Sequence, residues 1–448
     1  MYHGYVATAI TLPGTLIYRA LRKAPHSLVE DLAFGTAIGL IAETAARPVL
    51  WAWPILTVIL LRRHLRTPEY PHRPPRSWSW AVTAVALGFV AYLTWAFLRV
   101  DPPVPTTRPA EYMIDQLNLL AVTGNLAHHF PLAVPELGDQ PLPYHWFAYA
   151  HLAAAGRLTG IDLPVLWFRL DLPALAVLAV VLLAVAAWRV TGRAWAGPVA
   201  AALMYTVGEA VLPARAPAFF GTITAYYSWS SRSVLFASAL SHVHHSWDAV
   251  LPVYVFAALV LAVAAATRSR AAALTVVLFA GGAGLPYDAV HHAKLGTAYH
   301  VRVTPDQAAG ARWLRAHSSP DEYVATNVHR VGSGEQARQS LAYWISAYSE
   351  RRVLLGSWGY SPESNAIQAA RRGVGPALQY WDPGRLAAND LAIYEPTPDR
   401  LRWLRDQRVR WILVDRAQGR ESPRLADQAT YAWSAGDIVI YRLSVRCT

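Results

Sequence analysis

The sequence predicts an α-helical polytopic membrane domain of about eight to ten transmembrane helices, followed by a small soluble α/β domain. The 448-residue chain is 54% hydrophobic and 15% charged, whereas soluble domains carry about 25% charged residues. Charges are sparse from residue 29 to residue 290 and frequent after residue 300. This uneven distribution is typical of a membrane part followed by a soluble part.

Apolar runs mark the expected spans. They cover residues 5–18, 32–46, 48–61, 79–98, 172–188, 194–213, 249–266 and 271–287. Residues 144–158 and 214–246 are only partly apolar, so the exact number of crossings stays open. We predict three parts, which are N-terminal transmembrane helices (1–77), a membrane core (78–299) and a soluble domain (300–448).

The placement of arginine orients these spans. Arg62, Arg63, Arg66, Arg73 and Arg76 fall within one short segment, and the positive-inside rule places such a segment in the cytoplasm. The next apolar run, residues 79–98, carries no charge and is long enough to cross a bilayer core of about 30 Å. Loop 100–143 and the C-terminal domain are therefore expected outside. Abundant Ala, Arg and Pro with very little Lys is typical of a bacterial chain, so we expect the inner membrane.

Composition excludes several classes of function. The net charge of +11 comes from arginines that the positive-inside rule already explains, so no nucleic-acid partner is expected. Cys447 is the one cysteine, which excludes an intrachain disulfide and a Cys-based metal site. The nucleotide-binding pattern GXXXXGK[ST] and the hydrolase pattern GXSXG are both absent from the sequence.

Glu111 and Asp115 carry the first candidate chemistry. They are four residues apart in a stretch with helical spacing, so we expect both carboxylates on one helix face. Such a pair can hold a divalent cation such as Mg²⁺ or Mn²⁺, or one carboxylate can take a proton from a hydroxyl group. The alternative is a solvated helix face above the membrane.

Two groups of histidines carry the second candidate chemistry. Their spacing matches no zinc signature, which leaves phosphate binding, proton handling, or a position at the membrane interface with no special task. An arginine near the second group can grip phosphate, and a Pro- and aromatic-rich stretch around Tyr144 fits either ligand binding or the membrane interface. The residues concerned are His128, His129, Tyr144, His145 and His151, then Arg232, His242, His244 and His245.

The C-terminal region alternates predicted helices and strands. Thr304 and Thr397 are each followed by proline, as expected for helix N-caps with Pro at the first helical position. Predicted strands cover residues 322–328, 352–357, 409–415 and 437–444. This alternation predicts an α/β domain of about 150 residues.

In residues 78–213 an uncharged span leads to Glu111-Tyr-Met-Ile-Asp115, followed by Pro141-Leu-Pro-Tyr-His145 and then by Thr159-Gly160-Ile161 and Arg169. This arrangement resembles the GT-C glycosyltransferases, which are polytopic enzymes that use polyprenyl-phosphate sugars. The arrangement is similar to large multi-pass membrane proteins of actinobacteria. Where the family often has a second acid, this chain has Gln116.

The resemblance implies an inverting transfer of a sugar from a polyprenyl-phosphate donor to a cell-envelope acceptor outside the cell. Asp115 would act as general base, and Glu111 or a histidine of the 128–129 pair would assist it or bind a metal. Tyr144, His145, Arg232, His244 and His245 would bind the substrates, and the spans would hold the polyprenyl tail. The rivals are a non-catalytic scaffold or lipid or glycan transport partner of the envelope, and a secondary transporter that uses Glu43 and Glu209.

Overall fold

A computed structural model describes residues 1–22, 27–45, 52–66, 69–100, 102–142, 146–206, 300–330, 340–370 and 379–444. Contacts divide the chain into two compact units. Unit 1 comprises Met1–Arg99 and Ala150–Ala298, and unit 2 comprises Val100–Tyr149 and Tyr299–Thr448. The predicted loop 100–143 therefore folds with the C-terminal domain.

Helices account for most of the described residues. Helix α1 is continuous over residues 2–21, with a π-helical stretch, Val6–Thr11, between α-helical turns. Helix α7 covers Leu163–Thr191 and contains a second π-helical stretch, Leu166–Asp171. The others are α2 (Leu28–Ala45), α3 (Trp53–Leu60), α4 (Arg76–Val100), α5 (Ile114–His128), α6 (Phe147–Thr159), α8 (Ala196–Thr206), α9 (Pro305–His317), α10 (Trp344–Ser349), α11 (Pro362–Ala370), α12 (Pro383–Tyr394), α13 (Pro398–Asp406) and α14 (Leu425–Gln428).

The strands of the described residues lie in unit 2. They are β1 (Ala110–Met113), β2 (Ala133–Val134), β3 (Leu137–Pro141), β4 (His300–Val303), β5 (Tyr323–Thr326), β6 (Val409–Asp415), β7 (Thr430–Ala435) and β8 (Ile438–Arg442). The main sheet has the order β5-β6-β8-β7, in which β5 and β6 are parallel and the other neighbours are antiparallel. Two further pairs, β1 with β4 and β2 with β3, are antiparallel.

Unit 1 is built from closely packed helices. Helices α1 and α2 meet at glycines: a Cβ added to Gly14 would lie 2.0 Å from the Gly35 carbonyl oxygen, and one added to Gly39 would lie 2.2 Å from the Ile10 carbonyl oxygen. Gly35 and Gly39 form the GXXXG spacing that lets membrane helices approach backbone to backbone. Any larger residue at these positions would push α1 and α2 apart.

Unit 1 exposes large hydrophobic side chains and also buries several carboxylates. All of the large hydrophobic side chains exposed in the described residues, except Phe130 and Tyr431, belong to this unit. Leu21 and Leu60 are 76% and 75% exposed. The buried carboxylates among its described residues are Glu30, Asp31, Glu43 and Asp171.

One described helix, α7, is long and apolar enough to cross a membrane by length and composition. The other predicted spans that fall wholly or partly within the described ranges are helical as well, in α1, α2, α3, α4 and α8. The predicted spans at 249–266 and 271–287 lie outside the described residues. The number of crossings stays a prediction.

The C-terminal part of unit 2 confirms most of the predicted elements. Thr304 caps α9 through a capping box with Gln307, and Thr397 caps α13 by accepting a hydrogen bond from the Arg400 N–H. Strands β5, β6 and β8 lie where strands were predicted. The predicted strand 352–357 is wrong, because there only Val353 pairs, through an isolated bridge to Val324.

Candidate functional site

The corner between β1 and α5 carries the two acids of the predicted site. Glu111 lies in β1, opposite Arg302 of β4, and Asp115 is the second residue of α5. The expectation that both share one helix face is therefore wrong. The local spacing favours a helix, but pairing with β4, nearly 200 residues later in the chain, converts residues 110–113 to a strand.

Several contacts fix this corner in unit 2. Tyr112 is fully buried, donates a hydrogen bond from its hydroxyl to the Pro102 carbonyl at 2.7 Å, and meets the Tyr348 ring edge to face at 6.2 Å. All residues from Gln116 to Leu126 are buried. The first turn of α5 is thus held by a rigid core and does not belong to a helix with a broad solvated face.

Helix α10 packs against α5 and is itself held in place by a buried carboxylate. Glu136, in the turn between β2 and β3, accepts hydrogen bonds from the Ser346 backbone N–H at 3.1 Å and from the Ser346 hydroxyl. Burial raises the pKa of Glu136, and the donors at Ser346 oppose this rise. Glu136, a residue of the segment 100–149, is therefore hydrogen-bonded to the C-terminal segment of unit 2.

His128 and His129 lie at the other end of α5. Thirteen residues separate Asp115 from His128, which is about 20 Å along a helix. Direct assistance of Asp115 by these histidines, expected from the sequence, is therefore wrong. Instead, His128 Nε2 lies 2.8 Å from a Glu350 carboxylate oxygen, and Arg315 donates to the other Glu350 oxygen at 2.8 Å.

Glu350 closes α10 in the left-handed backbone conformation, with φ of 55°. Burial opposes ionisation of its carboxyl group, but the hydrogen bond from His128 and the charge of Arg315 outweigh this and lower its pKa. A Cβ on Gly124 would approach Glu350 Cγ to 2.9 Å, so α5 needs glycine at this contact. The pKa of His129 is also lowered, first by burial and then by nearby Arg352, with partial compensation from Asp321.

The other predicted substrate-binding residues lie outside the described residues: Tyr144, His145, Arg232, His244 and His245. Within the described ranges, no group of three or more His, Cys, Asp or Glu side chains has the geometry to hold a metal ion.

Unit 1 contains a group of polar residues that the sequence did not bring together, here called the histidine cluster: Tyr2, Tyr5, Glu43, His151 and Asp171. His151 Nδ1 lies 2.7 Å from Glu43 Oε2, and its Nε2 lies 3.6 Å from Asp171 Oδ1. Tyr2 donates to Asp171 at 2.7 Å, and Tyr5 donates to Glu43. The Tyr5 ring stacks on the imidazole with centroids 5.9 Å apart.

The histidine cluster suits proton transfer or the locking of helices. An imidazole between two carboxylates can donate from both nitrogens when protonated, and each phenol supplies a further donor. Both π-helical stretches border the cluster, because Tyr5 precedes the first and Asp171 ends the second. Such stretches are frequent at functional sites. The sequence pointed to this cluster only through Glu43, an acid inside an apolar run. The partners of Glu43 come from distant parts of the chain.

No protein-family model, curated protein or solved structure matches the chain.

Replacing His151 tests how strongly the cluster holds unit 1. His151→Ala would leave Glu43 and Asp171 buried without their cation, which costs about 3–5 kcal/mol when one partner of a buried pair is removed. We expect a large drop in the melting temperature of the detergent-purified protein. The triple change His151→Leu, Glu43→Gln, Asp171→Asn removes the charges together and should recover part of the loss. An unchanged melting temperature for His151→Ala would contradict this role.

Lowering the pH should weaken unit 2 in two separate windows. Neutral His129 contributes to the stability of the folded unit above the ordinary histidine pKa of 6.5. This contribution is lost as the pH falls below 6.5, because the pKa of His129 is lowered in the folded protein. Ionised Glu350 contributes to stability above pH 4.5, the ordinary pKa of a glutamate, and this contribution is lost as the pH falls toward the lower pKa of Glu350 in the folded protein.

Hydrogen exchange of the α5 amides would report both windows. His129→Gln should remove the loss of protection between about pH 7 and pH 5. Glu350→Gln should remove the loss of protection at lower pH. His317→Gln, a change at an exposed histidine of the same unit, is the matched control and should leave both in place. Protection that is independent of pH in the unsubstituted protein would refute the assignment.

Proposed function

We propose that unit 1 is embedded in a bacterial inner membrane. The exposed apolar surface and buried, paired carboxylates of this unit are what a lipid environment requires, because apolar side chains face the acyl chains and ionisable groups face the helix bundle. Helix α7 is the described helix that best fits a crossing.

Two polar clusters give unit 1 its proposed orientation. The first, here called the arginine cluster, contains Arg19, Arg22, Glu30, Asp31 and Arg189. Arg19 pairs with Asp31 at 2.7 Å, and Glu30 pairs with Arg22 at 3.0 Å and with Arg189 at 3.5 Å. Because these arginines end apolar helices, the positive-inside rule assigns this end to the cytoplasm.

The histidine cluster would lie at the outer end. Along α2, Glu30 and Glu43 are about 20 Å apart, and along α7, Asp171 and Arg189 are about 27 Å apart. Helix α6 turns back into α7 at Gly160, which has φ of 69°, and Gly156 packs against Leu163. His151 of α6 contacts the outer cluster, so α6 needs no crossing of its own.

Within this topology we propose that the protein transfers a sugar from a polyprenyl-phosphate donor to an acceptor of the cell envelope. Asp115 would take the proton of an acceptor hydroxyl as its oxygen attacks the anomeric carbon. The bond from that carbon to the phosphate oxygen breaks, and the phosphate leaves with the electron pair. Arg232, His244 and His245 are proposed to stabilise the charge that develops on the phosphate, and the spans would hold the polyprenyl tail.

The observation that carries this proposal is the placement of Asp115 in the first turn of a helix whose next eleven residues are buried. A base must be held in a fixed position to act on a bound hydroxyl, and this backbone is fixed by β4 and α10. The helix dipole also favours a negative charge in the first turn, which is the ionised form that a general base requires.

Asp115→Asn is the direct test. Asn has nearly the same shape but cannot accept the proton, so we expect transfer from radiolabelled polyprenyl-phosphate hexoses or pentoses to fall by at least about 100-fold. The assay would use membranes containing the full-length protein. Glu111→Gln measures the proposed assisting role and should give a smaller loss.

Asp139→Asn is the matched control, because it makes the same chemical change at a half-exposed carboxylate of unit 2 that pairs with Arg385. It should retain activity within about twofold, as surface ion pairs contribute little. Transfer by Asp115→Asn at the rate of the unsubstituted protein would overturn the proposal.

The histidine cluster favours a second function, a transport partner of envelope lipids or glycans that is driven by protons. Buried ionisable groups inside a membrane bundle commonly mark proton pathways. In this reading, His151 would exchange protons with Glu43 and Asp171, and Asp115 would have no catalytic task.

Glu43→Gln separates the two functions. If the protein couples transport to protons, this substitution should abolish the export of the glycan or lipid that the pH gradient drives in cells. If the protein transfers sugars, Glu43→Gln should keep its transferase activity per folded molecule. The amount of folded protein is measured by size-exclusion chromatography. Loss of export in Glu43→Gln, with export retained in Asp115→Asn, would favour the transport function.

A further inference from the structure

A cavity of about 680 Å³ opens at the arginine-cluster end of unit 1. Its apolar side is formed by Leu28 and Val29, at the start of α2, and its polar side comes from the segment before α4. The polar lining residues are Glu69, Tyr70, His72 and Arg73, together with Pro74. The cavity thus has one face suited to an acyl chain and one suited to a headgroup.

Tyr70 fixes the polar side to the helix bundle. Its hydroxyl donates to Asp31 at 2.8 Å and accepts from Arg19 Nη2 at 3.2 Å. Arg19 also donates to the His64 carbonyl at 3.0 Å, which holds the start of the same segment. The cavity wall is therefore anchored at two points and is not a free loop.

The segment that supplies the polar side of the cavity contains more arginines than acids. The nearby buried acids, Glu30 and Asp31, are already neutralised by Arg19, Arg22 and Arg189. In contrast, Arg73 forms no hydrogen bond or ion pair within the part of the chain that the structure describes. Residues 62–76 contain a single acid, Glu69, against these arginines: Arg62, Arg63, Arg66, Arg73 and Arg76.

An apolar track leads away from the cavity along α2. Leu28 and Leu32 are one helical turn apart, so they lie on the same face, and they are 47% and 43% exposed. Both leucine side chains are partly exposed, although the interior of the unit is well packed. An acyl chain whose headgroup occupied the cavity would cover these two side chains.

We propose that this cavity binds the headgroup of an anionic phospholipid, with Arg73 and His72 toward the phosphate and one acyl chain along Leu28 and Leu32. Basic pockets at the cytoplasmic ends of membrane helices bind anionic headgroups by the same charge complementarity. The inference rests on the proposed membrane location of unit 1 and is independent of sugar transfer.

Native mass spectrometry of the full-length protein in detergent tests the site. The probes are phosphatidylglycerol and phosphatidylcholine with identical acyl chains. We expect one phosphatidylglycerol to be retained in preference to phosphatidylcholine, and Arg73→Gln to weaken its binding about fivefold, since one arginine near an anionic lipid contributes about that factor. Leu32→Ser should also weaken binding without any change in charge.

Arg108→Gln is the matched control, because it removes the same charge from an exposed position of unit 2 and should leave binding unchanged. Equal retention of both lipids, or an equal loss in Arg108→Gln and Arg73→Gln, would overturn the site. Complete displacement of phosphatidylglycerol by millimolar inorganic phosphate would assign the cavity to free phosphate and overturn the lipid. None of these outcomes affects the Asp115 assay, so the two proposals fail separately.

Discussion

The pairing of buried charge is the constraint on which unit 1 depends. Four carboxylates of its described residues are buried, and an isolated ionised carboxylate in such surroundings would be prohibitively costly. Glu30 and Asp31 pair with arginines, and Glu43 and Asp171 share His151. Because the partners come from α1, α2, α6 and α7, the same contacts that neutralise the charges also fix which helices are neighbours.

The two clusters have different roles in the unit. The arginine cluster contains groups that stay charged at any ordinary pH, so it serves as a permanent anchor. The histidine cluster contains an imidazole between two carboxylates, with phenol hydroxyls as further hydrogen-bond donors. Chemistry that needs a proton to move can use the second cluster and cannot use the first. The GXXXG contact of α1 with α2 joins the two ends and limits how far either can shift.

The sequence predicted what depends on neighbouring residues and missed what depends on distant ones. The caps at Thr304 and Thr397 and the buried strand β6 follow from local patterns and were confirmed. Glu111 was assigned to a helix because its spacing to Asp115 fits one, yet its strand partner, Arg302, is far along the chain. Likewise, Glu43 could be recognised as an unusual buried acid, but no pattern in the sequence brings Tyr2, His151 and Asp171 to it.

The connectivity of unit 2 explains why its two segments must be considered together. The chain passes between the units at three places, after residues 99, 149 and 298, whereas a domain appended to a membrane bundle needs a single connection. The segment 100–149 supplies β1 and α5, and the C-terminal segment supplies β4 and α10, which hold them. The helix that carries Asp115 is thus completed by residues that come much later in the chain. Any chemistry at its first turn requires the C-terminal segment as part of the site's own framework, since β1 without β4 would lose its strand partner and α5 would lose the helix that covers it.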